Sequence, residues 1–320
     1  MFPKISVIVP VYNALDDVKL CLDSLRDNFD FSLGQVIIIN DCSNSETNNF
    51  LKEFSQNNQD FTLMNNQENL GFVKTCNKGM KLAKGEIVVL LNSDTMIPKN
   101  FSQRIIQCFD MNPEVGIASP IGSYTASYFI TLPHGVSLEQ MNELLEKRHI
   151  CSYPIIPKAE GFCFCIRRDV IEHIGYLDEV FGKGYGEECD YSCRARQYGY
   201  EIVLIDDLYV YHKRQASFGS KNREKLFSEH NSILKSRWDN LLHDFEKRTH
   251  WKNPISKIRY DLFTKKFGPF NWYFGNDETY FGIFKLKIFR IKRKIKEKRL
   301  ITRWIIGGIC IFQSSKKKEN

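Results

Sequence analysis

No two of the ten cysteines are spaced Cys-x-x-Cys, and no apolar run reaches the ~18 residues that a bilayer span needs. The nearest run, Trp304 to Phe312, is about half that length. Cys163 and Cys165 stand two apart, as on a strand. A disulfide framework is therefore not expected, and the thiols read as reduced small hydrophobes of a cytosolic protein. Between Met1 and Val11 there is neither a charged leader nor a small-residue cleavage site, so no signal peptide is expected. No GxGxxG follows the first apolar run, which counts against a dinucleotide fold, and the absence of GxxxxGK(S/T) counts against a P-loop. Internal repeats and low-complexity linkers are missing too. With 42% hydrophobic and 26% charged residues, the chain is neither disordered nor collagenous.

What is present is unevenly charged. Lys285 to Asn320 holds thirteen Lys/Arg against two Glu, a net of +11 within a chain of +7. Residues 1–284 therefore carry −4: a mildly acidic body with a basic tail. That speaks against nucleic acid as the body's partner and for a tail that meets an anionic surface.

The first third alternates strand and helix signals. Ile5–Val11, Gln35–Asn40, Phe61–Met64, Glu86–Leu91 and Val115–Ala118 read as strands, mostly as continuous apolar runs, the sign of a sheet covered on both faces. Ala14–Asn28, Thr47–Asn57, Phe72–Lys84 and Pro98–Met111 carry helical periodicity between them. The expected fold is α/β, a mostly parallel central sheet flanked by helices. Pro120 to Pro157 is less regular, an insertion or flap with one helix at Leu138–Lys147. Strands at Glu160–Ile166, Glu201–Ile205 and Leu208–His212 and helices at Arg168–Ile174 and Glu188–Tyr198 follow. A boundary is expected near residue 220, with a helical basic extension over 220–320.

Ligands on such sheets sit at the carboxyl ends of strands, and polar residues gather there: Pro10, Tyr12 and Asn13 after the first strand, Asp41 after the second, Asn92, Ser93 and Asp94 after the fourth. Asp41 reads equally as a helix cap or as an acceptor for a base or ribose. Asn92-x-Asp94 is good turn chemistry, and it also suits a metal–diphosphate site, since Mg²⁺ and Mn²⁺ need few protein oxygens beside phosphate. Glu187-Glu188-Cys189-Asp190 opens a helix behind the glycine-rich stretch 182–186. Such acids complement the helix dipole, or supply a general base to an acceptor hydroxyl. His212 ends a strand and would be a further metal ligand if it faced Asp94.

Taken in order, these segments resemble family 2 glycosyltransferases of the GT-A fold. The matching stretches are Ser6–Asn13, Val36–Ser43, Asn69-Leu70-Gly71-Phe72 with Asn77-Lys78-Gly79, Leu90–Thr95, Gly161–Arg168, Gly175–Glu179, Glu187–Asp190 and Tyr211-His212, covering about residues 4 to 219. The resemblance implies a catalytic domain over 1–219, with a nucleotide-sugar half (1–118) and an acceptor half (119–219). It implies that Pro10, Tyr12, Asn13, Asp41, Asn69, Gly71, Asn77, Asn92 and Ser93 bind nucleotide. Asp94 and His212 are implied to hold a divalent metal, Mn²⁺ or Mg²⁺, and Glu188 to be the catalytic base, with Asp190 as second candidate. Position 92 is Asn where the motif often has Asp, and position 188 is Glu where Asp is usual.

The activity so implied is that of an inverting hexosyltransferase-type enzyme. It would move a sugar from a UDP-, dTDP- or GDP-sugar to a hydroxyl of a glycan or lipid-linked acceptor, in bacterial cell-surface polysaccharide or lipopolysaccharide synthesis. A catalytically inactive nucleotide- or sugar-binding module is the alternative reading, and a nucleotidyltransferase a more distant one. In the tail, residues 283–312 interleave Lys and Arg with Ile, Leu, Phe and Trp. They read either as a basic amphipathic helix on an anionic inner-leaflet surface, or as a helix packed on the body with a solvated face. On the first reading the protein is cytoplasmic and peripheral on the inner face of the plasma membrane.

Overall fold

β1 (Ile5–Val11) is buried at every position, and α1 (Leu15–Asn28), β2 (Gly34–Asn40), α2 (Ser45–Asn57), β3 (Phe61–Asn65), α3 (Phe72–Leu82) and β4 (Ile87–Leu91) follow in the predicted alternation. The chain continues through β5 (Thr95–Met96), α4 (Phe101–Met111), β6 (Val115–Gly122), α5 (Leu138–Glu146), β7 (Cys163–Arg167), α6 (Arg168–Ile174), a 3-10 turn at Glu179–Phe181, α7 (Glu187–Gln197), β8 (Glu201–His212) and α8 (Ser220–Lys252). This is a computed structural model. It describes residues 3–125, 127–132, 135–148, 151–213 and 220–266, and beyond them the strands within 270–317 as backbone. Side chains in 220–225, 242–246, 248–252, 260 and from 263 onward lie outside the description.

The eight strands form one sheet in the order β3-β2-β1-β4-β7-β6-β8-β5. β1 is parallel to β2 and β4, β2 to β3, and β6 to β8. β7 runs antiparallel between β4 and β6, so the sheet is mixed at its centre. Both faces are covered, which is why the strands read as unbroken apolar runs. Val7, Val9, Val36, Ile38, Val89 and Leu91 share a buried core with Leu22 and Leu25 of α1 and Leu51 of α2. On the other face α3 lies close enough that a Cβ at Gly79 would come within 2.4 Å of Ile8 Cγ2.

Two expectations change. The strands predicted at 201–205 and 208–212 are one strand, β8, whose pairing with β6 slips between Pro120 and Ile121. The slip leaves room for the buried Asp206 and Asp207. Asp206 accepts from Ser152 Oγ (2.8 Å) and from the amides of Ser152 and Tyr153 (3.1 Å each). Asn142 of α5 bonds both the amide and the carbonyl of Tyr209 at 2.9 Å. The insertion is thus pinned to β8 at two places.

The second change is in the tail. Helix is found as expected in α8 and in α9 (Ile255–Lys266). Beyond these the helical expectation is corrected: β9 (Phe270–Phe274), β10 (Glu278–Ile283), β11 (Leu286–Lys296), β12 (Arg299–Ile306) and β13 (Ile309–Lys317) form a five-stranded antiparallel sheet. The β-branched content of Ile288, Ile291, Ile295, Ile301, Ile305 and Ile306 suits a pleated strand better than a helix. The amphipathic face read into 283–312 rests on side chains outside the described residues, as does the boundary at 219/220, beside 214–219. The chain divides into two compact units, Met1–Asn253 and Pro254–Asn320. Among the described residues no helix is long and apolar enough to cross a membrane.

Candidate active site

The carboxyl ends of β1, β2, β4 and β8 meet at one rim. At the end of β1, Asn13 is left-handed (φ 57), a conformation Asn tolerates, and Ala14 (φ 56) repeats it without a polar side chain to help. The pair is held from the neighbouring loop: the Asn13 amide donates to Ser43 Oγ (2.9 Å), and Asn13 Oδ1 accepts from the Asn44 amide (2.8 Å). Pro10 is buried in β1, whereas Tyr12 is 42% exposed at the rim.

Asp41 is buried, and its carboxylate has three donors. Oδ1 accepts from Asn66 Nδ2 (2.8 Å) and the Leu70 amide (2.8 Å), and Oδ2 from the Gly71 amide (2.9 Å). The acid therefore ties the end of β2 to the entry of α3, which leaves one of its four lone-pair sites for a ligand. Gly71 (φ 81) must be glycine: a Cβ would sit 3.1 Å from the Gly182 carbonyl oxygen. Asn69 is exposed beside it. Asn77, expected at the nucleotide, is held by backbone. Its buried amide donates to the Leu177 carbonyl (2.9 Å) and accepts from the Leu177 N–H (3.0 Å), so both ends are taken by backbone.

The Asn92-Ser93-Asp94 turn is closed by Thr95 Oγ1, which donates to the Asn92 carbonyl at 2.7 Å. Asn92 and Ser93 are half-buried there. The short strand β5 then pairs Thr95 with His212, and this pairing brings Asp94 to the end of β8. Asp94 Oδ1 lies 3.3 Å from His212 Nε2. His212 Nδ1 is 2.7 Å from the Tyr124 carbonyl oxygen; a carbonyl only accepts, so Nδ1 carries a proton. In the neutral ring this turns the Nε2 lone pair towards the carboxylate, an arrangement that a cation between them resolves. Donor type and spacing would suit two neighbouring ligands of one divalent ion. Among the described residues no group of three or more His, Cys, Asp or Glu stands together as a metal cluster.

Glu188 opens α7. Its Oε1 lies 3.2 Å from Lys158 Nζ, and its Oε2 accepts the Gly186 amide at 3.1 Å. Burial raises its proton affinity, but Lys158 and these hydrogen bonds outweigh burial and hold the carboxyl below the usual range. Glu187 goes the other way: burial first, and then the charge of Glu188, push it up to about 8, and its Oε2 has no hydrogen-bond partner. Asp190 points elsewhere. It is 1% exposed and takes Arg194 Nε (2.9 Å), Trp238 Nε1 (2.9 Å) and Arg237 Nη1 (3.1 Å). That geometry joins α7 to α8 and engages both carboxylate oxygens of Asp190, the second candidate base.

Two consecutive residues connect Glu188 to the Asp94–His212 pair. A Cβ at Gly161 would lie 3.7 Å from Glu188 Cβ and Cγ, while the ring of Phe162 stacks on His212 at 5.1 Å. The Phe162 carbonyl accepts the Asn92 amide (2.9 Å). Glu188, His212 and the Asn92–Asp94 turn thus converge on the entrance to β7.

Two contributors escape a reading by motif. Lys158 directly follows the irregular insertion, between Ile155-Ile156-Pro157 and Ala159. His230 of α8 donates from Nδ1 to the carbonyls of Gly184 (3.0 Å) and Tyr185 (2.8 Å), clasping the loop that carries Glu188. His230, Leu234, Arg237 and Trp238 recur at helical spacing, the one signal by which sequence could have found this face.

This sheet order and rim are those of a GT-A fold. The Pyrobaculum calidifontis mannosyltransferase PcManGT, solved with GDP-Man and Mn²⁺, superposes with a TM-score of 0.56 at 17% identity, covering 82% of this chain and 74% of that one. GalNAc-T7, solved with UDP, GalNAc and Mn²⁺, superposes at 0.58 with 15% identity, covering 94% and 70%. The profile of glycosyl transferase family 2 matches residues 6–175, and the chain belongs to that family. Among curated relatives, EpsH of Bacillus subtilis (strain 168) is 25% identical over 230 residues, 70% of this chain and 65% of its own length. The poly-β-1,6-N-acetyl-D-glucosamine synthase of Staphylococcus epidermidis is 32% identical over 112 residues, 35% of this chain and 27% of its own. The chain thus spans less than two thirds of either relative's length. Glu188 and His212 lie beyond the residues that the family profile matches.

Proposed function

We propose that the chain is an inverting, metal-dependent transferase that moves a sugar from a nucleoside-diphosphate donor to a hydroxyl of a glycan or lipid-linked acceptor. The observation that carries this reading is the Gly161–Phe162 bridge, which sets an ionised carboxylate beside a His–Asp pair at one rim. Asp41, Tyr12 and the Asn92–Ser93 turn receive the nucleotide. Asp94 and His212 hold the cation, which when bound neutralises charge on the departing diphosphate.

Glu188 takes the proton of the acceptor hydroxyl. The acceptor oxygen then attacks the anomeric carbon from the face opposite the diphosphate, and that carbon's configuration inverts in one displacement. Glu188 suits the role because its carboxylate stays anionic at neutral pH. The nucleotides held by the superposed structures, GDP-Man and UDP, support a UDP- or GDP-sugar donor. The relationship to a polysaccharide synthase supports a role in cell-surface polysaccharide synthesis.

The test is thermal unfolding of the full chain with UDP, GDP and dTDP, with and without Mn²⁺. A nucleotide that binds the folded chain raises its midpoint. The expected result is a rise that requires Mn²⁺ and is lost in Asp94→Asn. No rise with any of the three would leave the chain a fold without this chemistry.

A further inference from the structure

We propose that Lys158 is the positioning residue of the base: its ammonium fixes the Glu188 carboxylate in one rotamer and keeps it anionic while the acceptor hydroxyl approaches. The inference rests on the reading of Glu188 as base and adds to it the residue that sets its working state.

The geometry is a clamp with two jaws. Lys158 Nζ holds Oε1 at 3.2 Å and the Gly186 N–H holds Oε2 at 3.1 Å, so neither oxygen is free to swing. The two side chains are only 23% and 20% exposed, and a withdrawn pair is far less screened than a surface one. Lys158 stands three residues ahead of Gly161, in the segment that delivers Phe162 to His212. One stretch of chain therefore sets both the base and the ring beside the metal pair.

The other charged groups near the pair fit this assignment. Glu187 and Cys189 face it from α7, and Glu160 faces Lys158 from the same segment as Lys158 itself. From α8, His230 is turned to the loop carbonyls and Arg237 to Asp178 and Asp190. With Glu187 pushed up to about 8, the negative charge of the adjacent acids resides on Glu188. Lys158 is itself pushed up by Glu188 and Glu160 against the lowering effect of burial, so it keeps its proton through the reaction. In the transfer step the acceptor O–H bond breaks and its proton goes to Glu188. The acceptor oxygen bonds the anomeric carbon, the bond to the diphosphate breaks with its electron pair, and Glu188 then releases the proton to water.

The experiment uses the full chain labelled with ¹³Cδ-glutamate, with the Glu188 signal assigned by its loss in Glu188→Gln. Its titration is followed in wild type, Lys158→Met and Lys158→Arg. The same proteins are assayed against pH for release of nucleoside diphosphate from UDP-GlcNAc and GDP-mannose, with water as acceptor. In Lys158→Met the Glu188 midpoint and the acid limb of the rate profile should both rise by about one unit or more, while the KM for the donor holds within about twofold. Lys158→Arg should return both towards wild type.

An unmoved midpoint overturns the proposal, as does a moved midpoint with an unmoved acid limb. If Lys158→Met does not fold, judged by circular dichroism, Lys158→Gln takes its place under the same criteria. Failure of the underlying reading is distinguishable: Glu188→Gln would then turn over like wild type, and the proposal would fall with it. If Glu188→Gln is inactive and Lys158→Met is unshifted, the role of Lys158 alone is refuted.

Discussion

Glu187 and Glu188 are neighbours in sequence with opposite acid–base behaviour, because one side chain turns into the protein and the other meets Lys158. An unfolded glutamate loses its proton near pH 4.5, whereas folded Glu187 keeps it to about 8. Across that window the folded chain binds more protons, so stability falls as pH rises, by at most about 1.4 kcal/mol per unit, and levels off above pH 8. Glu187→Gln should flatten this slope, read from urea midpoints between pH 5 and 8. Asn77 is the second residue whose role depends on what surrounds it. Asn77→Ala strips the Leu177 amide and carbonyl of their partners, at a cost of roughly 1–3 kcal/mol for each group left buried. Denaturant unfolding should show that loss, with the Mn²⁺-dependent nucleotide shift retained.

The elements that matter most at the next scale are β5, two residues long, and α8. β5 is too short to carry a periodic signal, yet its pairing with β8 is what sets Asp94 against His212. α8 contributes by holding other elements. Trp238 breaks its helical geometry (φ −132, ψ 21) at the point where Arg237 and Trp238 both reach Asp190. About two turns earlier, His230 holds the loop of Gly182, Gly184, Tyr185 and Gly186, all of positive φ. The glycines take this conformation freely, but Tyr185 (φ 72) does not, and its backbone keeps that shape only while something outside holds it. His230→Ala should therefore misplace Glu188. Turnover is expected to fall by roughly a hundredfold, the order of loss that an ångström of misplacement brings, while nucleotide binding by thermal shift is unchanged.

At the scale of the whole molecule, every residue assigned to the site lies within Met1–Asn253, and the +11 net charge of 285–320 lies within Pro254–Asn320. A chain ending at Asn253 should keep the Mn²⁺-dependent nucleotide shift. It should lose any binding to phosphatidylglycerol vesicles that the full chain shows at low salt, because about 1 kcal/mol per basic residue near an anionic surface is screened away as salt rises. Equal vesicle binding by both chains would take the membrane role away from the tail.

The alternation of strands and helices was legible because the sheet is covered on both faces, so burial wrote β1, β2 and β4 as unbroken apolar runs. The rim was legible only as candidates: Asp41, Asp94 and His212 stand at the ends of such runs and Glu188 in a first helical turn, places that caps, turns and dipole partners also fill, so their roles came from the order of the motifs and the resemblance it carries. Position along a strand does not reveal what a side chain touches. Only the tertiary structure decided that Asn77 serves Leu177, that Asp190 serves α8, and that Lys158 comes to Glu188 from thirty residues away. These are contacts between distant parts of the chain, set by how α3, α7, α8 and the segment ahead of β7 pack. The strands of the tail escaped for a related reason: isoleucines interleaved with lysines satisfy a helical period and a strand period about equally well, and pairing with neighbouring strands settles which one forms.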